Sequence, residues 1–132
     1  MSGYVLDASA LISFLMGGPG SIEVRDLIDL AIQGKVQLLM SMVNWGEVYH
    51  SAWRYRGYDA AIRVSNEIAR LPIELEDANY EATRMAAEMK VRYRLPYADC
   101  FAASLARRKG AIVVTSDRDF KSVGDVVDVR YI

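Results

Sequence analysis

The chain has few of the residues that form cross-links or bind soft metals, with one cysteine and one histidine among 132 residues. The single cysteine, Cys100, cannot form an internal disulfide, so nothing supports secretion and a reducing compartment suits the chain. The single histidine, His50, has no second histidine or cysteine at ligand spacing. Stability must therefore come from a hydrophobic core.

Long apolar runs and an excess of one charge sign are also missing. No run approaches the roughly 18 residues of a membrane span, and the apolar start of the chain carries Asp7 in its middle and no basic leader. Lys and Arg total 16 against 17 Asp and Glu, a net charge of −1, which argues against an indiscriminate nucleic-acid binder. We expect a soluble cytoplasmic protein with no membrane association.

Size and composition predict a single domain over residues 1–132. Hydrophobic residues make up 52% and charged residues 25% of the chain, which is a globular balance. A chain of this length buries roughly two-thirds of the surface that it exposes when unfolded. No linker, repeat or low-complexity segment divides the sequence, so we expect one core.

Short apolar runs alternate with segments of helical spacing. Tyr4–Leu6 indicates a strand that leads into a helix over Ala8–Met16, and Ala111–Thr115 indicates a strand that follows a helix over Pro96–Lys109. The same patterns predict further segments: a helix capped by Ser21 and ending before Gly34, a strand over Gln37–Met40, a helix capped by Ser41 and continuing to Tyr58 with Gly57 at the turn, helices over Asp59–Leu71 and Asp77–Tyr93, and extended segments over Ile73–Leu75 and Val126–Tyr131. Apolar strands separated by helices are typical of a parallel sheet covered on both faces. We predict an α/β fold of three layers with a central parallel sheet of four to five strands.

Acidic residues follow the predicted strands, at the edge where parallel sheets bind ligands. Asp7 comes directly after the first strand, and Asp117 and Asp119 come just after the last buried one. Asp99 and Glu47 lie in early turns of helices that begin at the same edge. Each acid also has an ordinary explanation as a helix cap, a turn residue or an exposed charge. Their common placement, rather than any single acid, favours a shared site.

Carboxylates gathered at one edge would repel each other, since two unit charges about 5 Å apart cost about 3 kcal/mol at an effective dielectric near 20. A cation should therefore lie among them. Oxygen ligands without histidine or cysteine favour Mg²⁺ or Mn²⁺ over zinc. The predicted ligands are Asp7, Glu47, Asp99 and Asp117, with Asp119 as a further candidate. The hydroxyls suited to orient these carboxylates are those of Ser9, Thr115 and Ser116.

Four short motifs carry a resemblance to a known family. They are Val5-Leu6-Asp7-Ala8-Ser9, Asn44-Trp45-Gly46-Glu47-Val48, Ala98-Asp99-Cys100-Phe101-Ala102-Ala103 and Thr115-Ser116-Asp117-Arg118-Asp119-Phe120. In order and spacing they resemble a PIN-domain protein of the VapC-like toxin type. The resemblance implies a PIN-like fold with an acidic metal pocket, endoribonuclease activity dependent on Mg²⁺ or Mn²⁺, a homodimer, and a VapB-like antitoxin whose tail covers the pocket.

The resemblance also implies residue roles. The family's acidic positions fall on Asp7, Glu47, Asp99 and Asp117, with Asp119 as the alternative ligand, and its hydroxyl positions fall on Ser9 and Thr115. The implied reaction is hydrolysis of an RNA phosphodiester by a water that the metal activates. Arg118 is a candidate phosphate contact because it lies between two of the acids.

Two other functions stay open from the sequence. A different Mg²⁺-dependent phosphoryl hydrolase would want a second aspartate near Asp7, and none is present there. A non-catalytic interaction module would keep the acids as caps and would use the aromatic stripe of Trp45, Tyr49 and Trp53 for assembly. Packing in a core or an interface explains this spacing of four more simply than base stacking does.

Overall fold

The computed structural model describes Met1–Ile132 and contains five strands alternating with six α-helices. The strands are β1 Ser2–Leu6, β2 Val36–Ser41, β3 Ile73–Glu76, β4 Ile112–Thr115 and β5 Val129–Tyr131. The helices are α1 Ala8–Met16, α2 Ser21–Ile32, α3 Met42–Arg56, α4 Tyr58–Ala69, α5 Tyr80–Arg92 and α6 Tyr97–Lys109, and a short 3-10 helix covers Arg118–Val123.

All strand pairs in the sheet are parallel, in the order β3-β2-β1-β4-β5. The chain therefore builds outward from β1 in one direction through β2 and β3, and in the other through β4 and β5. Leu6 at the end of β1 pairs with Val114 near the end of β4. The residues that follow these two strands emerge side by side at the point where the strand order reverses, which is where ligands of such sheets bind.

The hydrophobic core has two parts, one on each face of the sheet. Val5 belongs to the cluster that contains residues of α5, α6 and the 3-10 helix, whereas its neighbour Leu6 belongs to the cluster that contains residues of α1 and α2, as the alternation of a strand requires. The predicted α/β fold with three layers and a covered parallel sheet is confirmed. None of the helices has both the length and the apolar character needed to cross a bilayer.

Several predicted boundaries are confirmed and three are wrong by a few residues. The Ser41 hydroxyl accepts from the Val43 amide and caps α3, as predicted, and Gly57 separates α3 from α4. Gly20, and not Ser21, occupies the N-cap of α2, and its φ of 85° lies in the left-handed region that glycine tolerates.

Helix α5 begins at Tyr80 rather than at Asp77, because the Asn79 side chain accepts from the Ala82 amide at 2.9 Å and caps the helix there. The last strand is also shorter than its apolar pattern predicts. Val126 bonds back to the Val123 carbonyl, so the chain is still turning where a strand was expected and pairs with β4 only from Val129.

Candidate metal-binding site

Asp7 is held at the end of β1 by three hydrogen bonds. Its Oδ1 accepts from the Ser9 hydroxyl at 2.7 Å and from the Ala10 amide at 2.9 Å, and its Oδ2 accepts from the Thr115 hydroxyl at 2.5 Å. The side chain is 2% exposed. Asp7 therefore caps α1 and is also bonded to Thr115 at the end of β4.

The hydroxyls of Ser9 and Thr115 join the ends of β1 and β4. The Thr115 hydroxyl accepts from the Asp117 amide at 2.9 Å, the Ser9 hydroxyl accepts from the Ser116 amide at 3.0 Å, and the two hydroxyl oxygens lie 3.2 Å apart. Ser116 takes part through its backbone, and its side chain is exposed. These bonds fix the chain just before the acids that follow β4.

Three carboxylates come together beyond the end of β4. One oxygen each from Asp99, Asp117 and Asp119 lies within 4.8 Å of the others. Asp99 is buried in the first turn of α6, Asp117 caps the 3-10 helix by accepting from the Asp119 amide at 2.9 Å, and Asp119 is exposed. Asp7 and Glu47 are not part of this group of three, which includes Asp119, the further candidate, beside two of the four expected acids.

The charges of the outer two acids still reach Asp99. Burial, followed by the negative charge of Asp117, raises the pKa of Asp99 from 3.8 to about 7, and the charges of Asp7 and Glu47 act in the same direction. Burial also raises the pKa of Asp7, against the lowering effect of its hydrogen bonds. The site therefore disfavours the ionised form of these carboxylates, and a bound divalent cation would stabilise that form.

Glu47 is positioned by Asn44, which belongs to the same motif but was not among the predicted site residues. Asn44 has no exposed surface, and its Nδ2 donates to Glu47 Oε1 at 2.9 Å and to the Ala98 carbonyl at 3.2 Å. Because both partners are acceptors, the amide nitrogen must face them. The remaining Asn44 Oδ1 is buried without a partner. A polar residue three positions before Glu47, on the same helix face, was the available signal.

Arg118 lies at the rim of the acid group but does not pair with it. Its guanidinium stands 4.6 Å from the centre of the Tyr131 ring, and it forms no ion pair with Asp117 or Asp119. The side chain is exposed. Its N–H groups therefore stay available to an anion, while the aromatic face limits where the guanidinium can go.

The ligand chemistry of the site fits a hard divalent ion. The available donors are carboxylate oxygens, with hydroxyls and backbone amides behind them and no histidine or thiol among them. Mg²⁺ and Mn²⁺ prefer such oxygen sets. Three carboxylates within 4.8 Å without a nearby cation are also costly in charge repulsion.

Comparisons with known proteins agree with this architecture. No curated protein sequence matches the chain. The structure is similar to VapBC2 from Rickettsia felis bound to a promoter DNA fragment, with a TM-score of 0.76, 15% identity and 98% of each chain covered. It is similar to DNA-bound VapBC from Salmonella typhimurium, with a TM-score of 0.75, 17% identity and 98% of each chain covered.

It is also similar to VapC20 from Mycobacterium tuberculosis, a sarcin-ricin loop cleaving toxin, with a TM-score of 0.69 and 19% identity over 92% of this chain and 95% of that one. At these identities the likeness is one of fold. The family model of the PIN domain matches residues 4–126. That match covers most of the chain and every acid of the site, so the chain belongs to the PIN domain family.

Proposed function

We propose that this protein is a metal-dependent endoribonuclease that hydrolyses phosphodiester bonds in RNA and acts as the toxin of a VapBC-like toxin–antitoxin pair. One observation carries the proposal: the carboxylates of Asp99, Asp117 and Asp119 approach within 4.8 Å at the ligand-binding edge of a PIN domain. The cleavage of RNA by the structurally similar VapC20 supports the same substrate class.

The acids would hold Mg²⁺ or Mn²⁺. When bound, such an ion lowers the pKa of the attacking water and offsets charge on the scissile phosphate. Asp99 and Asp117 are the inner ligands in this proposal, and Asp119 lies close enough to join them. Glu47, held by Asn44, adds charge from α3.

Asp7 keeps one free acceptor position for the site. A carboxylate has about four lone-pair positions, and Asp7 uses two on Oδ1 and one on Oδ2 in its bonds to Ser9, Ala10 and Thr115. The remaining Oδ2 position is the one that we assign to the metal or to a water. The hydroxyls of Ser9 and Thr115 then fix the carboxylate that uses it.

Arg118 is the proposed contact for the scissile phosphate. It is exposed beside the acids and carries no ion pair, and the Tyr131 ring holds its guanidinium in place. A planar guanidinium donates two parallel hydrogen bonds to phosphate oxygens. The reaction takes place on RNA, so we place the protein in the cytoplasm.

A VapB-like antitoxin is the proposed protein partner. An apolar groove lies between α1, α3 and α4, lined by residues that include Ile12, Leu15, Val48, Ala52 and Val64. The solved VapBC structures with this fold supply the precedent for a partner of this kind. We propose that an apolar antitoxin segment occupies the groove, and that two copies of the chain associate.

Cleavage of a structured RNA by the purified chain tests the proposed activity. We expect cleavage with Mn²⁺ or Mg²⁺, none in EDTA, and none by Asp99→Asn with either ion. Asp59→Asn, which alters an exposed acid in the first turn of α4, serves as the control and should cleave like the wild type. Cleavage that persists in EDTA would contradict the mechanism, and a protein that neither cleaves nor binds these ions would be a non-catalytic module.

A further inference from the structure

A basic cleft separates α5 from α6, away from the acid group. It has a volume of about 240 Å³ and is lined by Met85, Glu88, Met89, Arg92, Tyr93, Ser104, Arg107 and Arg108. Its three arginines come from both helices. A chain with a net charge of −1 thus concentrates three guanidinium groups in one concave surface.

None of these arginines has an acidic partner. The one acid in the cleft, Glu88, accepts from Arg84 at 2.5 Å on its own helix. Arg92, Arg107 and Arg108 form no ion pair. Like charges gathered in a concave surface repel each other, and an anion in the cleft would remove that cost.

Helix-dipole effects account for only part of this arrangement. Basic residues are favoured in the last turns of α5 and α6, where Arg92, Arg107 and Arg108 lie. Lys109, in the same turn of α6, differs from these arginines because it forms an ion pair with Glu76 at 3.4 Å. The dipole explains why cations are present, but it does not explain why these three converge unpaired.

The cleft continues toward the acid group. An adjoining groove is formed by the chain from Lys90 to Pro96, shares Arg92 and Tyr93 with the cleft, and adds Arg94. It ends at Pro96, the N-cap of α6, whose first turn carries Asp99. From Asp99 to Arg108 the helix rises about 14 Å. A single nucleic-acid strand bound at the acid group could span that distance.

We propose that this cleft binds the phosphate backbone of the RNA substrate on one side of the cut bond. The inference rests on the proposed ribonuclease function and extends it by naming a second contact. The recognised group is a run of phosphodiesters, since arginine forks match phosphate oxygens and carry no base specificity. The cleft raises affinity for a long strand and leaves the chemistry at the acids unchanged.

The test compares two triple variants with equal charge change. One is Arg92→Gln/Arg107→Gln/Arg108→Gln. The control is Arg25→Gln/Arg63→Gln/Arg70→Gln, which alters exposed arginines on α2, on α4 and at the C-cap of α4. Both helices pack on the other face of the sheet. Circular dichroism and thermal unfolding check that both variants fold.

Binding of a labelled single-stranded RNA is measured in EDTA, where no cleavage occurs, over a range of salt concentrations. Each lost contact to a single strand lowers the salt slope of log K by about 0.7, so three contacts lower it by about 2, equal to about a hundredfold weaker binding at about 0.1 M salt. The control variant should keep the wild-type slope. Equal losses in both variants, or no loss in either, would overturn the proposal.

Cleavage with Mn²⁺ separates this inference from the proposed function. We expect the cleft variant to have a higher KM for a long RNA and an unchanged kcat. A short oligonucleotide that reaches only the acid group should be cleaved equally by the cleft variant and the wild type. An unchanged KM for long RNA would refute the cleft while leaving the nuclease intact. If the cleft variant loses salt slope but the wild type shows no nuclease activity, the proposed nuclease function is refuted and the cleft proposal stands. Unchanged RNA binding with lost binding of an acidic antitoxin would assign the cleft to a protein and overturn the inference.

Discussion

Replacing Asp99 by asparagine should stabilise the metal-free protein. Burial and the charge of Asp117 raise the pKa of Asp99 from 3.8 to about 7. At about 1.4 kcal/mol for each pKa unit, and with roughly half of the cost removed by solvent screening, the ionised carboxylate costs the folded state about 2 kcal/mol. The Asp99→Asn side chain has the same shape and no charge, so its thermal midpoint in EDTA near pH 8 should rise by about 5 to 10 °C.

The gain should depend on pH in a defined direction. The pKa of Asp99 is higher in the folded than in the unfolded state, so the wild type loses stability as the pH rises from about 4 to about 7. Below about pH 4 both states carry the protonated acid and the penalty is absent. The difference between Asp99→Asn and wild type should therefore be close to zero in acid, grow through this window and be constant above it.

Metal should reduce the stability advantage of Asp99→Asn, because only the wild type is expected to bind it. A divalent ion that binds only the folded state stabilises it by about 2.7 kcal/mol at one hundred times its dissociation constant. Mn²⁺ should stabilise the wild type by an amount of this size and leave Asp99→Asn unchanged. Differential scanning calorimetry at about pH 5 and about pH 8, with Mn²⁺ or EDTA, measures all four conditions.

The matched control is Asp59→Asn, since Asp59 also lies in the first turn of a helix but is exposed. Loss of a helix-dipole interaction alone destabilises by about 0.3 to 1 kcal/mol, and this is the expected result for the control with and without metal. If Asp99→Asn behaves like the control, Asp99 is a helix-terminus residue and the argument from charge crowding is wrong.

Three further predictions test the groups around the acids. Thr115→Val removes the hydroxyl that joins Asp7 to the Asp117 amide, and should lower the free energy of unfolding in urea by about 1 to 3 kcal/mol. Asn44→Asp places a carboxylate against Glu47 and should weaken Mn²⁺ binding about 10- to 100-fold in calorimetric titration. In a Glu47→Gln background the same substitution should have little effect on Mn²⁺ binding. An undiminished effect there would show that Asn44 does not act through Glu47. Arg118→Ala should lower kcat/KM for RNA cleavage without changing Mn²⁺ affinity, and an unchanged kcat/KM would remove Arg118 from the phosphate contacts.

The sequence predicts the fold and the edge that carries the acids because both follow from local patterns. The apolar run before Asp7 and the run before Asp117 are strands whose ends must meet in a parallel sheet, and they do. The hydroxyls of Ser9 and Thr115 then follow from their places next to those acids. Such inferences need only strand periodicity and the handedness of crossover connections.

The finer geometry depends on how helices pack, which local patterns do not encode. The expected group of four acids becomes a tight group that includes Asp119 and an outer pair, because the 3-10 helix after Asp117 turns Asp119 back toward Asp99. Asn44 stands in one of the four motifs, but its bond to the Ala98 carbonyl on α6 depends on how α3 and α6 pack. The convergence of arginines from α5 and α6 is likewise set by the crossing of two helices.

Helix α6 resolves the conflict between an acidic site and an anionic substrate. Its N-terminal turn holds Asp99, and its C-terminal turn holds Arg107 and Arg108, so each charge lies at the end that the helix dipole favours. Without metal, the acid end repels a phosphate strand that the basic end attracts. Two divalent ions at four acids would change the formal charge of the chain from −1 to +3. RNA affinity should therefore rise on addition of metal in the wild type, and this gain should be absent in Asp99→Asn even though its basic cleft is intact.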